Sequence, residues 1–203
     1  MAITTLSGAS AGMRQARIIA KDLSSATGGT RFTTHWMQAG SPPAGSHDTT
    51  LNGVALTAPV TGQIPYTDAV SASSYLGRLQ ASYPCAASLY LCDRLWHNGG
   101  YTITSTSAQN STTPTWPARD ANGSTNGDGV LLGLEISATV GSGTPTITIA
   151  YTNSAGTGSR SATGIIASAA SSAAASFYPI GLQAGDTGVR SVQSLTLSAT
   201  WTR

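Results

Sequence analysis

The fold class of this 203-residue chain is decided by one stretch, Val130-Leu-Leu-Gly-Leu-Glu-Ile-Ser-Ala-Thr-Val140. Its even-numbered positions are all apolar, whereas Glu135, Ser137 and Thr139 occupy the odd-numbered positions of its second half. Apolar residues at every second position are typical of a strand with one buried face. The stretch therefore predicts a half-buried β-strand.

The next residues predict the partner of that strand. Gly141-Ser-Gly143 has the composition of a turn. Thr144-Pro-Thr-Ile-Thr-Ile-Ala-Tyr151 alternates again, with Ile147, Ile149 and Tyr151 facing inward. Two alternating runs joined by a short glycine-rich turn predict a β-hairpin.

Similar segments recur along the chain. In residues 194–202, one side carries Leu195, Leu197, Ala199 and Trp201. Five further segments have strand-like composition: 75–82, 86–96, 101–105, 161–167 and 177–182. Strands at this spacing, joined by Gly, Ser and Asn turns, predict an all-β protein with an antiparallel β-sandwich or jelly roll.

The first fifty residues are less regular, because Gly, Ser and Pro clusters interrupt them at 7–12, 24–29 and 40–46. We therefore predict an irregular N-terminal arm over 1–50 and a β-sandwich domain over 51–203. Two interpretations of the first part stay open: an extended arm that docks on another molecule, or ordinary edge strands and loops of one domain.

Charge is scarce in this chain. Charged residues make up 9% of it, the formal net charge is +2, and more than half of all positions are Ala, Gly, Ser or Thr. Such a chain has no field to attract nucleic acid or anionic lipid. The start lacks a secretory signal and no apolar run has the length of a membrane span, so we expect a protein that folds where it is made. Low net charge gives little protection against association, which favours a homo-oligomer.

Candidate catalytic groups are few. Paired carboxylates need two acids in one cleft, yet Glu135 is the only glutamate and lies on the polar face of its strand, where we expect it to face solvent. A Ser-His-Asp triad is defined by geometry, so a serine-rich chain leaves that option open. We expect a protein that is not an enzyme.

Metal and cofactor sites are not expected either. The histidines, His35, His47 and His97, have no neighbours at metal-ligand spacing. Cys85 and Cys92 do not form a Cys-x-x-Cys pair, and seven residues apart they would point to opposite faces of one strand. We expect them to be buried free thiols.

One loop carries a weak calcium signal. In Asp120-Ala-Asn-Gly-Ser-Thr-Asn-Gly-Asp-Gly129, oxygen-bearing side chains alternate as in calcium loops. The sixth and twelfth positions are Thr125 and Leu131, however, where such loops place Gly and Glu. Asn-Gly and Asp-Gly pairs also form turns. We therefore predict a loop that enters the following strand, with a calcium site as the alternative.

The four tryptophans are Trp36, Trp96, Trp116 and Trp201. Trp96 and Trp201 lie on strand-like segments and are expected in the core. Trp116, between Pro114 and Pro117, is expected to be exposed, where its ring could stack on a glycan.

Four segments of the chain resemble a group of tailed-bacteriophage structural proteins. They are Leu91-Cys-Asp-Arg-Leu-Trp-His-Asn-Gly-Gly100, Trp116-Pro-Ala-Arg-Asp-Ala-Asn-Gly-Ser-Thr-Asn-Gly-Asp-Gly129, Tyr151-Thr-Asn-Ser-Ala-Gly-Thr157 and Ala184-Gly-Asp-Thr-Gly-Val-Arg-Ser-Val-Gln193. The similarity spans roughly residues 36–201, and its motifs carry no known catalytic role.

The resemblance implies a virion protein that is made in the host bacterial cytoplasm and decorates or stabilises the capsid surface, as a minor capsid protein does. Its expected partners are the major capsid protein or other virion proteins, and the threefold positions of capsid lattices suit a trimer. Within the irregular segment, Arg14, Arg17 and Lys21 are the candidate partner contacts. The alternative is a tail or fibre component that binds host-surface glycan through Trp116.

Overall fold

The computed structural model describes residues 5–8, 18–22, 32–64, 78–82, 88–166 and 173–201. Within them the chain forms antiparallel strands: β1 (Ala20–Lys21), β2 (Phe32–Thr33), β3 (Gly40–Ser41), β4 (Val54–Ala55), β5 (Trp96–His97), β6 (Gln109–Asn110), β7 (Leu132–Glu135), β8 (Thr146–Asn153), β9 (Arg160–Ile165), β10 (Ser176–Ile180) and β11 (Val189–Leu197). The predicted all-β, sandwich-like class is confirmed.

Two sheets carry the longer strands. The first has four strands in the order β6-β11-β8-β9, and the second has three in the order β2-β10-β7. An isolated bridge between Thr163 of β9 and Gly181, just after β10, joins them. The short pairs β1-β3 and β4-β5 form two further sheets. In the part of the chain described, no helix is long and apolar enough to span a membrane.

The core takes side chains from both sheets. Ile147, Ile149 and Tyr151 are buried on β8, as their alternation predicts, and Leu132 and Ile180 join them from the smaller sheet. The alternation of β8 persists over all eight of its residues, with every second side chain buried. Packing across the two sheets is therefore the main apolar contribution to stability.

The predicted hairpin between 130–140 and 144–151 is wrong. The first strand ends at Glu135 and pairs with β10, whereas β8 pairs with β9 and β11. The connection passes from one sheet to the other instead of reversing within one. Trp201 holds this crossing, because its Nε1 donates to the Gly141 carbonyl at 3.2 Å.

Other predicted strands have mixed outcomes. The segments 161–167 and 177–182 correspond to β9 and β10, and Leu195, Leu197 and Trp201 are buried at the C-terminus. The segment 101–105 forms a turn instead. Residues 75–77, 83–87 and 167–172 lie outside the described part of the chain.

The predicted boundary at residue 50 is crossed by strand pairing. Phe32 and Thr33 pair with Phe177 and Ser176 of β10, and the amide of Thr34 donates to the Ala175 carbonyl at 2.9 Å. The segment is otherwise irregular, since its strands have only two residues each. Residues 32–50 are thus attached to the sandwich, which agrees with the edge-strand interpretation for that part.

Candidate functional site

The only glutamate of the chain lies beside the indole of Trp36. Trp36 Nε1 donates to both carboxylate oxygens of Glu135, at 2.9 and 3.2 Å, and Thr34 Oγ1 donates to one of them. The Glu135 side chain is only 18% exposed. The expectation that it faces solvent is therefore wrong, because β7 ends at this residue and the N-terminal segment covers it.

A guanidinium lies over the ring of the same indole. Cζ of Arg94 lies 3.8 Å from the centroid of the Trp36 ring, and Nη1 lies 4.0 Å from Glu135 Oε2. All three guanidinium nitrogens are buried, and none has a hydrogen-bond partner among the described residues. Burial lowers the pKa of Arg94, while the Glu135 charge opposes that shift. The ring and the carboxylate together stabilise this charge.

Two imidazoles complete what we call the indole cluster: Trp36, Arg94, Glu135, His47 and His97. The ring centroids of His47 and His97 lie 5.7 and 6.3 Å from that of Trp36. Burial and the Arg94 charge lower the pKa of His97, His47 lowers it further, and Asp48 opposes them. These effects favour the neutral form of the His97 imidazole. The cluster joins the N-terminal segment to β5 and β7.

Asp120 organises the loop that carries the calcium signal. Its Oδ1 accepts from the amides of Asn122 and Ser124, and its Oδ2 accepts from Ser124 Oγ and the amides of Gly127 and Asp128, all at 2.6–3.1 Å. Burial alone would raise the pKa of Asp120, but these bonds outweigh it and lower the pKa. Five donors on one carboxylate support the turn interpretation over the calcium alternative.

No three His, Cys, Asp or Glu side chains come close enough to hold a metal ion in the portion of the chain described. Cys92 is a free thiol and is exposed, so the expectation that it is buried is wrong. Cys85 lies outside the described residues.

A second buried carboxylate fixes the loop between β10 and β11. Asp186 accepts two hydrogen bonds from Arg160, from Nε and Nη2 at 2.9 Å each, and another from Asn153 Nδ2 at 2.8 Å. The Tyr151 hydroxyl also donates to it and accepts from the Gln183 amide at 3.0 Å. The hydrogen bonds from Arg160 lower the pKa of Asp186 most, followed by those from Tyr151.

The four segments that carry the resemblance are connected to one another. Arg190 Nη2 donates to Asn126 Oδ1 at 3.0 Å and to the Ser154 carbonyl at 2.7 Å, which joins three of them. The fourth is joined through a two-bond ion pair between Arg119 and Asp93, at 2.8 and 3.1 Å. In the structure, these residues fix loops.

Trp116 is buried, with 3% of its surface exposed, and belongs to the hydrophobic core. The expectation that it is exposed is wrong, because its ring packs inward despite the flanking prolines. Its edge lines a surface depression of about 280 Å³ whose polar lining includes Thr115, Asn126 and Arg190. The ring face is not available for stacking on a sugar in this conformation.

The three candidate cationic contacts separate into two groups. Arg14 and Arg17 lie outside the described residues. The ammonium of Lys21 donates to the carbonyls of Gln38 and Pro42, at 3.1 and 2.6 Å, and burial lowers its pKa. Lys21 therefore stabilises the paired strands β1 and β3 of its own chain.

One further motif bears on the possibility that this protein is an enzyme. Gly8-Ala-Ser-Ala-Gly12 matches the Gly-x-Ser-x-Gly string of nucleophile elbows, in which the serine follows a strand and precedes a helix. Its serine lies outside the described residues.

No protein family, no curated protein and no solved structure matches this chain. Function is therefore inferred from the contacts above and from the resemblance.

Replacing Asp186 by Asn should lower the melting temperature more than replacing Asp93 by Asn. Both carboxylates bind an arginine through two hydrogen bonds, but the Asp186 side chain is 2% exposed and that of Asp93 is 52% exposed. The buried variant leaves the Arg160 charge without its counter-ion. Thermal unfolding of the two variants checks this, and equal shifts would contradict the anchoring role of Asp186.

The free energy of unfolding should fall as the pH drops below about 6.5. The unfolded chain binds a proton at His97 more readily than the folded chain, because the folded pKa lies below the ordinary value of 6.5. Urea unfolding between about pH 8 and pH 5 measures this loss. His97→Gln should flatten the curve, and an unchanged slope would argue against a lowered pKa of the half-buried imidazole.

Trp116→Ala should destabilise the protein by about 3–5 kcal/mol, since it empties a large core site. Trp116→Phe should cost less, because Nε1 of Trp116 has no hydrogen-bond partner in the described part of the chain. Urea denaturation distinguishes the two. A stable Trp116→Ala variant would mean that the ring does not support the core.

Proposed function

We propose that this chain is a non-enzymatic structural protein of a tailed-phage virion that decorates or stabilises the capsid surface through contacts between subunits. The resemblance of the four segments supplies the virion context. The observation that supports the mode of action is that several large apolar side chains are exposed, whereas carboxylates of low exposure are engaged within the chain itself.

Three carboxylates of low exposure are engaged by neighbouring residues of the chain itself. Glu135, Asp120 and Asp186 each accept several hydrogen bonds from neighbouring residues, which fix loops and sheet edges. A general acid or base needs a proton-transfer path to substrate. The oxygens of these three carboxylates are instead bonded to groups of the protein itself, which supports a role without catalysis.

Large apolar side chains are exposed instead. Leu131 is 76% exposed and Ile165 is 69% exposed, and Tyr90 and Leu91 are also largely uncovered. Exposed apolar side chains of this size support contact with other macromolecules. Repeated over many copies on a shell, modest contacts of this kind give strong attachment without chemistry.

A tail or fibre component that binds host glycan is the second candidate. The depression lined by Thr115, Thr125, Asn126 and Arg190 favours it, because hydroxyl, amide and guanidinium groups can bond sugar hydroxyls. The buried ring of Trp116 removes the stacking contact on which this candidate first depended.

Quantitative mass spectrometry of purified particles tests the proposal. Capsid decoration requires copy numbers comparable to those of the major shell protein, whereas a handful of copies would favour the tail candidate. Binding to host polysaccharide would support the latter. Degradation of host envelope polymers, lost in Ser10→Ala, would overturn the non-enzymatic assignment.

The arm contacts can be tested in the same particles. Replacing Arg14 and Arg17 by Ala should lower incorporation about fivefold, which corresponds to two surface ion pairs of about 0.5 kcal/mol each. Arg78→Ala, an exposed cation elsewhere in the chain, is the matched control. Equal incorporation of all variants would show that the arm arginines do not contact the particle.

A further inference from the structure

The junction of the two large sheets has an apolar outer surface. Leu132, Ile180 and Ala162 point into the core from β7, β10 and β9. Because neighbouring residues of a strand point to opposite faces, Leu131 and Ile165 point outward. The pairing of Leu132 with Ile180 and of Thr163 with Gly181 places the outward residues side by side. We call this surface the outer face.

Gly181 forms a hollow in the outer face. A Cβ atom built on Gly181 would meet no atom within 4 Å. The register places Leu131 beside it on one side and Thr163 on the other, with Ile165 two residues along β9. Leu131 and Ile165 are among the most exposed large apolar side chains described. The hollow at Gly181 is therefore bordered by the projecting side chains of Leu131 and Ile165.

The apolar surface continues along β10. Phe177 lies over Gly133, whose Cβ position is 1.9 Å from the Phe177 ring, and Phe177 pairs with the half-exposed Phe32. The ring of Tyr90 packs edge-on against Phe32 at 5.6 Å. Glu135 lies opposite Phe177 on the same side of β7, where Thr34 and Trp36 bond to it and cover it. The uncharged, open part of the outer face is therefore the band formed by Leu131, Gly181 and Ile165.

Charge indicates what can cover this band. The outward positions of β9 and β10 beside the hollow are Thr163, Ile165, Pro179 and Gly181, none of which is charged. The adjoining groove, of about 470 Å³, contains one charged side chain, Asp186, whose charge is paired with Arg160. A charged partner would lose solvation here without gaining a counter-ion.

We propose that the outer face binds the outer face of a second copy of this chain, with Leu131 of each copy in the hollow over Gly181 of the other. The projection and the hollow are adjacent on one surface, which is the condition for a self-complementary twofold contact. An uncharged face matches itself, so neither copy buries an unpaired charge. This contact deepens the proposed function by naming a partner and a surface.

The contact should be weak in dilute solution. Three strands about 4.8 Å apart present far less than the roughly 800 Å² per partner of a stable complex. Many copies held on a shell would raise the local concentration and strengthen it. It relates copies in pairs, so a threefold assembly would require a different surface.

Sedimentation velocity of the full chain from about 10 μM to about 500 μM tests this contact. The wild type should associate reversibly into dimers as concentration rises. Gly181→Val should weaken dimerisation at least about tenfold. The new side chain fills the hollow, yet its Cβ has no neighbouring atom within 4 Å, and valine suits a strand. Leu131→Asp should have a similar effect, and far-ultraviolet circular dichroism confirms that both variants fold.

Val54→Asp is the matched control, because Val54 is an exposed aliphatic residue on the separate β4-β5 sheet. Its dimerisation should equal that of the wild type. A wild type that stays monomeric throughout, or variants that dimerise normally, would overturn the inference. A monomeric chain found at high copy number in virions would refute this contact alone, and a dimer absent from virions would refute only the proposed function.

Discussion

Asp186 accepts both arms of the Arg160 guanidinium while Tyr151 and Asn153 donate to the same carboxylate. These bonds fix the β10–β11 loop to the edge of the four-stranded sheet. From that anchored loop β11 begins, and Arg190 reaches the Asn126 and Ser154 loops. Gly181, which forms the hollow in the outer face, directly follows β10 and leads into the same loop.

The core of the molecule is apolar, yet Asp120, Asp186 and Glu135 are carboxylates of low exposure that each accept hydrogen bonds from several donors. Several large aliphatic and aromatic side chains are exposed. Buried, bonded carboxylates specify one loop geometry, because any other would leave a charge without partners.

Alternation predicted the all-β class and the inward face of β8, because a period of two is local information. It did not predict that β7 pairs with β10 rather than β8, since about forty residues separate the partners and no local pattern encodes the crossing between sheets. The loop around Asp120 was predicted as a turn, because Asn-Gly and Asp-Gly pairs have a direct backbone cause.

Most of the indole cluster could not be predicted from the sequence. Trp36, Arg94 and Glu135 are far apart along the chain, and only the docking of the N-terminal segment brings them together. The expectation that Trp116 is exposed was wrong because the flanking prolines constrain the backbone and do not determine the direction of the ring. Asp186 lies within one of the four segments that carry the resemblance, but a single carboxylate beside glycines gives no signal for its distant arginine.

The lack of charge along the outer face has an environmental consequence. Contacts between ionised groups weaken as the screening length shrinks from about 30 Å in fresh water to about 3 Å in brine. A contact made by Leu131, Gly181 and Ile165 has no such dependence, and excluded salts such as sulfate strengthen it. A coat joined in this way would tolerate wide swings of salinity, and cold would be the condition that loosens it.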